Sequence, residues 1–288
     1  MSVSKIEIKN LSYTYNKGAA FAKQALDGVD LTIEKGEFVG LIGRTGSGKS
    51  TLIQQLNALL KPDGGEVLLD GMNIHEDKAK LKEVRQRVGL VFQYPEQQLF
   101  EATVMDDVAF GPKNLGLPKE EIDERVEWAL SMVGISREIA AKSPFDLSGG
   151  QKRRAAIAGV LAMRPEVLVL DEPAAGLDPA GRDEILEKIR EMHGRTDLTV
   201  ILVSHSMEDI ARLVERIVVI NGGKIVKDGA PGVVFAQPAE LKALGLLAPQ
   251  AAILAFKLRE RGIGVPEGVY TVDGVVEAVA AVMGFERK

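Results

Sequence analysis

The residues of this chain best suited to chemistry are a lysine in a glycine-rich stretch and two adjacent carboxylates. The first lies in Gly43-Arg44-Thr45-Gly46-Ser47-Gly48-Lys49-Ser50-Thr51; the carboxylates are Asp171 and Glu172, at the end of the apolar run Val167 to Leu170. Gly43, Gly46 and Gly48 let the backbone turn so that successive N–H groups face one point, and a helix starting there adds the positive end of its dipole. Such a point attracts an anion. Lys49 supplies a charge for the β and γ phosphates of a nucleotide, and the Ser50 hydroxyl is a ligand for magnesium. Asp171 is suited to hold that magnesium, largely through water, and Glu172 to orient and polarise a water for attack on the γ phosphate. The implied chemistry is nucleotide hydrolysis.

A second stretch, Leu147-Ser148-Gly149-Gly150-Gln151, has the form of another anion site: a serine placed to cap a helix, then glycines that expose backbone N–H groups. Lys152, Arg153 and Arg154 crowd the first turn of that helix, where the macrodipole disfavours cations. The arrangement predicts an anion or an acidic partner close by.

These residues need strands to carry them and helices to follow. Ile6 to Tyr15 reads as an edge strand, and Leu31 to Ile33 and Phe38 to Ile42 flank the turn Glu34-Lys35-Gly36-Glu37 as a hairpin. From Lys49, Leu52, Ile53, Leu56, Leu59 and Leu60 recur at helical spacing until Pro62-Asp63-Gly64-Gly65. Strand, glycine loop and helix is the context a phosphate loop requires. Short β-branched runs at Val88 to Phe92, Val167 to Leu170 and Val200 to Val203 read as strands buried on both faces of a largely parallel sheet. Residues 95–163 hold helical patterns without a convincing strand and read as an inserted helical subdomain. In it, Pro118 suits a first helical position, and Ile122, Val126, Ala129, Leu130 and Val133 form one apolar stripe ending at Gly134. Val218 to Val226, with Asn221-Gly222 at its turn, signals a hairpin. The expected organisation is one large domain over 1–230 and a small helical extension over 231–288.

Composition narrows the partners. A net charge of −5, from 41 acidic and 36 basic residues, gives no overall basic field, so nucleic acid is not expected. The absence of cysteine excludes disulfides and thiolate metal sites and fits a reducing cytosol. The N-terminus lacks the pattern of a signal peptide, and no apolar run reaches the roughly 18 residues of a membrane span. A role at a membrane would depend on partners.

The phosphate loop, the Leu147–Gln151 stretch and Asp171-Glu172 together resemble the ATP-binding cassette superfamily over about residues 5–230. The resemblance implies an α/β fold: a P-loop NTPase core with a mixed, largely parallel sheet, an N-terminal antiparallel β part, the helical insert and a C-terminal helical tail. It implies ATP and Mg2+ as ligands, with Gly43 to Thr51 on the nucleotide and Ser50, Gln93 and Asp171 on the metal. Glu172, Gln93 and His205 match catalytic positions, and Tyr15 matches the aromatic that stacks on adenine. In that superfamily two cassettes associate head to tail, so Ser148, Gly149, Gly150 and Gln151 would close over ATP bound by the other subunit, with Asp178 at the dimer interface. His75 and His193 match nothing and read as surface residues.

Finer resemblance is to the ATPases of energy-coupling factor importers, prokaryotic uptake systems for vitamins or transition-metal ions. It rests on Phe92 to Phe100, Asp107 to Pro112, Arg153 to Met163 and Asp171 to Pro179, the last similar to the second of their two paired ATPases. Ala174 departs from the pattern, where a hydroxyl residue is usual. The implied partners are a second cassette ATPase, a membrane coupling subunit and a substrate-binding membrane subunit, with the chain on the cytoplasmic face of the cell membrane. A homodimeric cobalt or nickel importer ATPase is an open alternative; soluble cassette proteins of DNA maintenance or translation fit less well, because the interval before Leu147 is too short for a coiled coil and the chain has one cassette. Glu96, Glu101, Asp106 and Asp107 are expected to form an acidic surface for basic coupling helices. In the tail, Leu241, Leu244, Leu246, Leu247, Ile253, Leu254 and Phe256 would serve either dimer contacts or the cover of their own domain.

Overall fold

The computed structural model describes residues 4–284. The chain opens with strands β1 (Ser4–Tyr15), β2 (Lys23–Glu34) and β3 (Phe38–Ile42), helix α1 (Lys49–Leu56), strands β4 (Gly64–Leu69) and β5 (Met72–Asn73), helix α2 (Leu81–Arg87) and strand β6 (Val88–Val91). Four helices follow, α3 (Val104–Leu115), α4 (Lys119–Met132), α5 (Arg137–Ala140) and α6 (Gly149–Leu161). The chain then alternates through β7 (Val167–Asp171), α7 (Pro179–Arg195), β8 (Thr199–Val203), α8 (Met207–Leu213), β9 (Arg216–Asn221) and β10 (Lys224–Gly229). Helices α9 (Pro231–Val234), α10 (Pro238–Ala243), α11 (Gln250–Glu260) and α12 (Val272–Met283) form the tail.

Two sheets result, an antiparallel one in the order β2-β1-β4-β5 and a largely parallel one in the order β10-β9-β3-β8-β7-β6. Strands β3, β6 and β8 are buried at every residue, and β7 at all but its last, Asp171, as unbroken apolar runs in a covered parallel sheet should be. The period of two sorts them onto two cores. Val39, Leu41, Val167, Val169, Ile201 and Val203 face the antiparallel sheet, while Phe38, Ile42, Leu168, Leu170, Val200 and Leu202 face the helices. Between Val91 and Val167 no strand interrupts the helical insert, as its patterns predict.

Several local readings are corrected. Strand β1 is not an edge; it lies between β2 and β4. The turn at Glu34–Glu37 joins no hairpin, because β2 pairs with β1 through Ile33↔Ile6 and Leu31↔Ile8, whereas β3 enters the other sheet between β8 and β9. The cause is visible in the side chains: β3 is apolar throughout and needs cover on both faces, which a two-stranded ribbon cannot give. Helix α1 stops at Leu56, since Ala58 adopts φ 53°, and Leu59 is exposed. Gly64-Gly65 opens strand β4. Pro118 sits one residue earlier than expected, as the N-cap of α4. His193 is not a free surface residue, because its Nε2 lies 2.9 Å from the Gly36 carbonyl oxygen and its ring packs on Phe38. His75 is also partly enclosed, and burial lowers its pKa.

The hairpin of β9 and β10 forms, turning on Gly222 and Gly223, both at positive φ as a tight hairpin turn requires. Of the tail's apolar residues, Leu241 and Leu246 join the core beneath the helices, together with Phe235, Ala248 and Ala252. Ala251, Ala255, Val265 and Val275 make a small cluster of their own, while Leu247 and Leu254 stay exposed. Most of this surface therefore covers the chain itself.

Candidate functional site

The phosphate loop bridges the end of β3 and the start of α1, and its glycines are dictated by space. A Cβ on Gly43 would stand 2.3 Å from the Ile220 carbonyl oxygen, and one on Gly48, at φ 115°, would stand 2.6 Å from that of Ala25. Lys49 is buried, and its Nζ donates to the carbonyls of Gly43 at 2.7 Å and Arg44 at 3.1 Å. Burial lowers its pKa, and the charges of Glu172 and Asp171 oppose that shift.

The parallel strands deliver the acids to the same edge. Asp171 ends β7, and burial raises its pKa against the pull of Lys49. Glu172 follows at φ 52°, its N–H donating to the Val203 carbonyl at 3.0 Å. Left-handed backbone is uncommon for a residue with a side chain, and such positions gather at functional sites. Burial, then the charge of Asp171, raises the Glu172 pKa to about 7. Its Oε1 is buried and accepts no hydrogen bond among the described residues; His205 Nε2, at the end of β8, stands off at 3.6 Å. Burial and Lys49 lower the His205 pKa, so its ring is neutral at pH 7 and able to donate or accept. An acceptor held in a cleft without a donor is suited to take one from water or ligand.

Tyr15, Thr45, Gly46, Gly48, Lys49, Ser50, Thr51, Gln93, Asp171, Glu172 and His205 all line one cleft. Tyr15 lies at the end of β1, its hydroxyl 3.2 Å from Thr51 Oγ1 and its ring edge-on to Tyr13. Two further lining residues, Lys23 and Ala25 of β2, carry no motif, and only the packing of the antiparallel sheet brings them there. Gly43 and Ser47 shape the loop from behind: a Cβ on Gly43 would press on Ser47 Oγ at 2.6 Å.

Ser148 to Gln151 and Asp178 are brought together elsewhere. Ser148 and Gln151 form a reciprocal cap on α6, Ser148 Oγ accepting from the Gln151 N–H and Gln151 Oε1 from that of Ser148. Gly149 and Gly150 pack beside Leu177 and Gly181, around Asp178, which caps α7. None of these residues lines the cleft.

The crowded cations after Ser148 find their partners inside the chain. Arg153, 1% exposed, forms a two-pronged ion pair with Glu96 at 2.6 and 3.0 Å and donates to the carbonyls of Pro173 at 2.8 Å and Ala175 at 3.0 Å. Arg154 pairs with Glu184. The expected acidic surface is accordingly reduced, with Glu101 and Asp106 still partly exposed. Glu96 is spent on Arg153, Asp107 is buried and accepts from the N–H groups of Phe100 and Glu101, and Asp106 bonds Thr103 and Lys113. Beside polar residues such as Gln97 and Gln98, that region exposes apolar side chains: Tyr94, Phe100, Met105 and Phe110, the two phenylalanines meeting edge to face at 5.0 Å.

The raised pKa of Glu172 makes stability depend on pH. The group titrates near 7 when folded and near its ordinary 4.5 when unfolded, so between those values the folded chain holds more protons and stability falls as pH rises. Replacing Glu172 with glutamine removes that burden. The nucleotide-free variant is expected to be more stable than the natural chain at pH 8 by about 1–2 kcal/mol, allowing for partial solvent screening, with no difference at pH 4. Calorimetry at the two pH values checks this; a difference independent of pH would contradict it.

The ABC transporter family model matches residues 26–175. The chain is 55% identical over 274 residues to the energy-coupling factor transporter ATP-binding protein EcfA2 of Caldanaerobacter subterraneus subsp. tengcongensis, covering 95% of this chain and 96% of that one. To the EcfA2 of Clostridium perfringens it is 51% identical over 279 residues, covering 96% and 98%. Its fold is similar to that of cbiO1 from Clostridium perfringens, part of the ABC transporter complex cbiONQ, at a TM-score of 0.75 and 38% identity over 88% of this chain and 98% of that one. A dimeric ATP-binding cassette in a post-hydrolysis state with ADP and Pi matches at a TM-score of 0.69 and 30% identity, over 78% and 98%. The chain belongs to the ABC transporter family of ATPases, among the ATP-binding proteins of energy-coupling factor transporters.

Proposed function

We propose that this chain is the ATP-hydrolysing subunit of an energy-coupling factor importer, seated on the cytoplasmic face of the cell membrane. Its partners in this reading are a second cassette ATPase, a membrane coupling subunit and a substrate-binding membrane subunit. Residues 1–230 carry the ATPase and 231–288 the extension. The observation that carries the reading is the division of the site: the cleft gathers the phosphate loop and Glu172, while the Ser148–Gln151 helix start lies outside it, free for the cleft of another cassette. The dimeric cassette of similar fold supports that arrangement.

In this mechanism the N–H groups of Thr45, Gly46, Gly48 and Lys49 receive the phosphates, Lys49 adds its charge, and Tyr15 stacks on adenine. Ser50, Gln93 and Asp171 offer hydroxyl, amide and carboxylate oxygens, the hard donors that Mg2+ takes. When bound, that cation neutralises charge on the β and γ phosphate oxygens. Glu172 accepts a hydrogen bond from the attacking water on its unsatisfied Oε1, and its pKa near 7 suits it to take the proton at neutral pH. His205 donates from Nε2 to the γ phosphate. Ser148, Gly149, Gly150 and Gln151 close over ATP held by the second cassette, with Asp178 beside them at the interface.

The apolar patch of Tyr94, Phe100, Met105 and Phe110 is the natural seat for the membrane coupling subunit, and it adjoins Gln93 and Glu96 in the chain. Changing Tyr94, Phe100 and Phe110 together to serine is expected to reduce co-purification of that subunit at least about tenfold, as loss of a few buried aromatic anchors does. ATP binding by the isolated variant stays as in the natural chain. Undiminished capture would count against the importer reading.

A further inference from the structure

We propose that the C-terminal tail holds the phosphate loop through Arg44, which makes Arg44 and Gly245 positioning residues for ATP binding. The inference rests on the reading of the cleft as the nucleotide site. Helix α10 ends in a tight turn in which the Leu246 N–H donates to the Leu241 carbonyl and the Gly245 N–H to that of Lys242, both at 2.9 Å. Gly245 takes φ 72°, and Leu241 and Leu246 on either side are buried in the core. This is the usual left-handed helix stop, fixed by its apolar contact.

The backbone angle accounts for a glycine but not for the space above it. A Cβ at position 245 would stand 2.6 Å from Arg44 Cδ and 2.8 Å from its Nε. Gly116, Gly262 and Gly284 follow helices at similar angles, and a Cβ on any of them would meet nothing within 4 Å. Gly134, which stops α4 at φ 68°, receives Lys188 Cε at 3.1 Å, but the approach at Gly245 is closer and comes from the phosphate loop. The stem of Arg44 lies against it, while the residue as a whole stays exposed.

The main chain of the same residue faces the catalytic lysine. The Arg44 carbonyl accepts from Lys49 Nζ at 3.1 Å and from the Ser47 N–H at 3.0 Å. One residue thus has its side chain on the tail and its carbonyl on the phosphate loop's own hydrogen bonds. A shift of the turn at Leu244–Leu246 therefore passes by packing to the loop that receives ATP.

The test is a double-mutant cycle on the purified full chain, with MgATP affinity measured by calorimetry for the natural chain, Gly245→Ala, Arg44→Ala and the double variant. Gly245→Ala is expected to weaken binding about three- to tenfold in the natural background and to have no further effect beside Arg44→Ala. In the assembled ATPase, KM for ATP rises by that factor while kcat changes less. The strain of φ 72° on alanine is the same in both backgrounds, so an equal loss in both, or no loss in either, overturns the proposal. Should Gly245→Ala fail to fold, Gly245→Asn adds the Cβ in a residue that tolerates this angle. A natural chain that binds no MgATP overturns the nucleotide site and this inference together; binding with a flat cycle overturns the tail contact alone.

Discussion

Glu172→Gln is expected to lower steady-state hydrolysis at least a hundredfold, about 2.7 kcal/mol or more on the barrier, while leaving MgATP affinity within about threefold of the natural value. The reason lies in what the substitution keeps. Glutamine preserves the shape of the side chain at φ 52° and the N–H bond to Val203, so the cleft retains its form. It removes the group that can accept a proton near pH 7, on a buried oxygen facing the cleft that no donor among the described residues satisfies. Lys49 and the loop N–H groups, which face the phosphates, are untouched. Rapid-quench hydrolysis and calorimetric binding on one preparation separate the two effects. Near-natural turnover would deny Glu172 its role, and a matching loss of affinity would make it a binding residue instead.

Arg153→Ala is expected to destabilise the fold by about 3–5 kcal/mol, because it strands a carboxylate and two carbonyls around a buried cation's empty place. Glu96 loses both of its short bonds, and the Pro173 and Ala175 carbonyls lose their donor. Arg153→Lys recovers only part of this, since one ammonium cannot serve a two-pronged pair and two carbonyls in different directions. The change also reaches catalysis: Arg153 ties Glu96, three residues beyond Gln93, to the loop directly after Glu172. Denaturant midpoints for the three chains measure the stability effect. A loss below about 1 kcal/mol for alanine would mean that the network is replaceable by water.

How far the sequence could be read follows from how local each feature is. The phosphate loop, the Asp171-Glu172 pair and the Ser148 cap are short-range patterns whose geometry is set by adjacent residues, and each occupies the element expected of it. The apolar runs of β7 and β8 were legible for the same reason. The turn signal at Glu34–Glu37 says nothing of which strand lies alongside, and β2 and β3 find partners in different sheets. Arg153 and Glu96 lie 57 residues apart, so the sequence offered one as a helix cation awaiting a ligand and the other as free surface charge. Lys23 and Ala25 reach the cleft only through sheet packing, and Arg44 reaches Gly245 only through the docking of the tail. In the same way, the charges around Glu101 concealed an apolar surface that appears only once Asp106, Asp107 and Glu96 have been taken up by their partners.

The central claim, that each ATP is hydrolysed between this chain and a second cassette, is tested most directly by the hydrolysis rate per chain across a dilution series, with particle mass followed by light scattering. The same series is repeated with a related cassette chain and the membrane subunits added. The account predicts that the rate per chain rises with the fraction of paired cassettes, whether the partner is another copy or the related chain, and vanishes in the unpaired protein. A constant rate per chain at the mass of a single chain would contradict it.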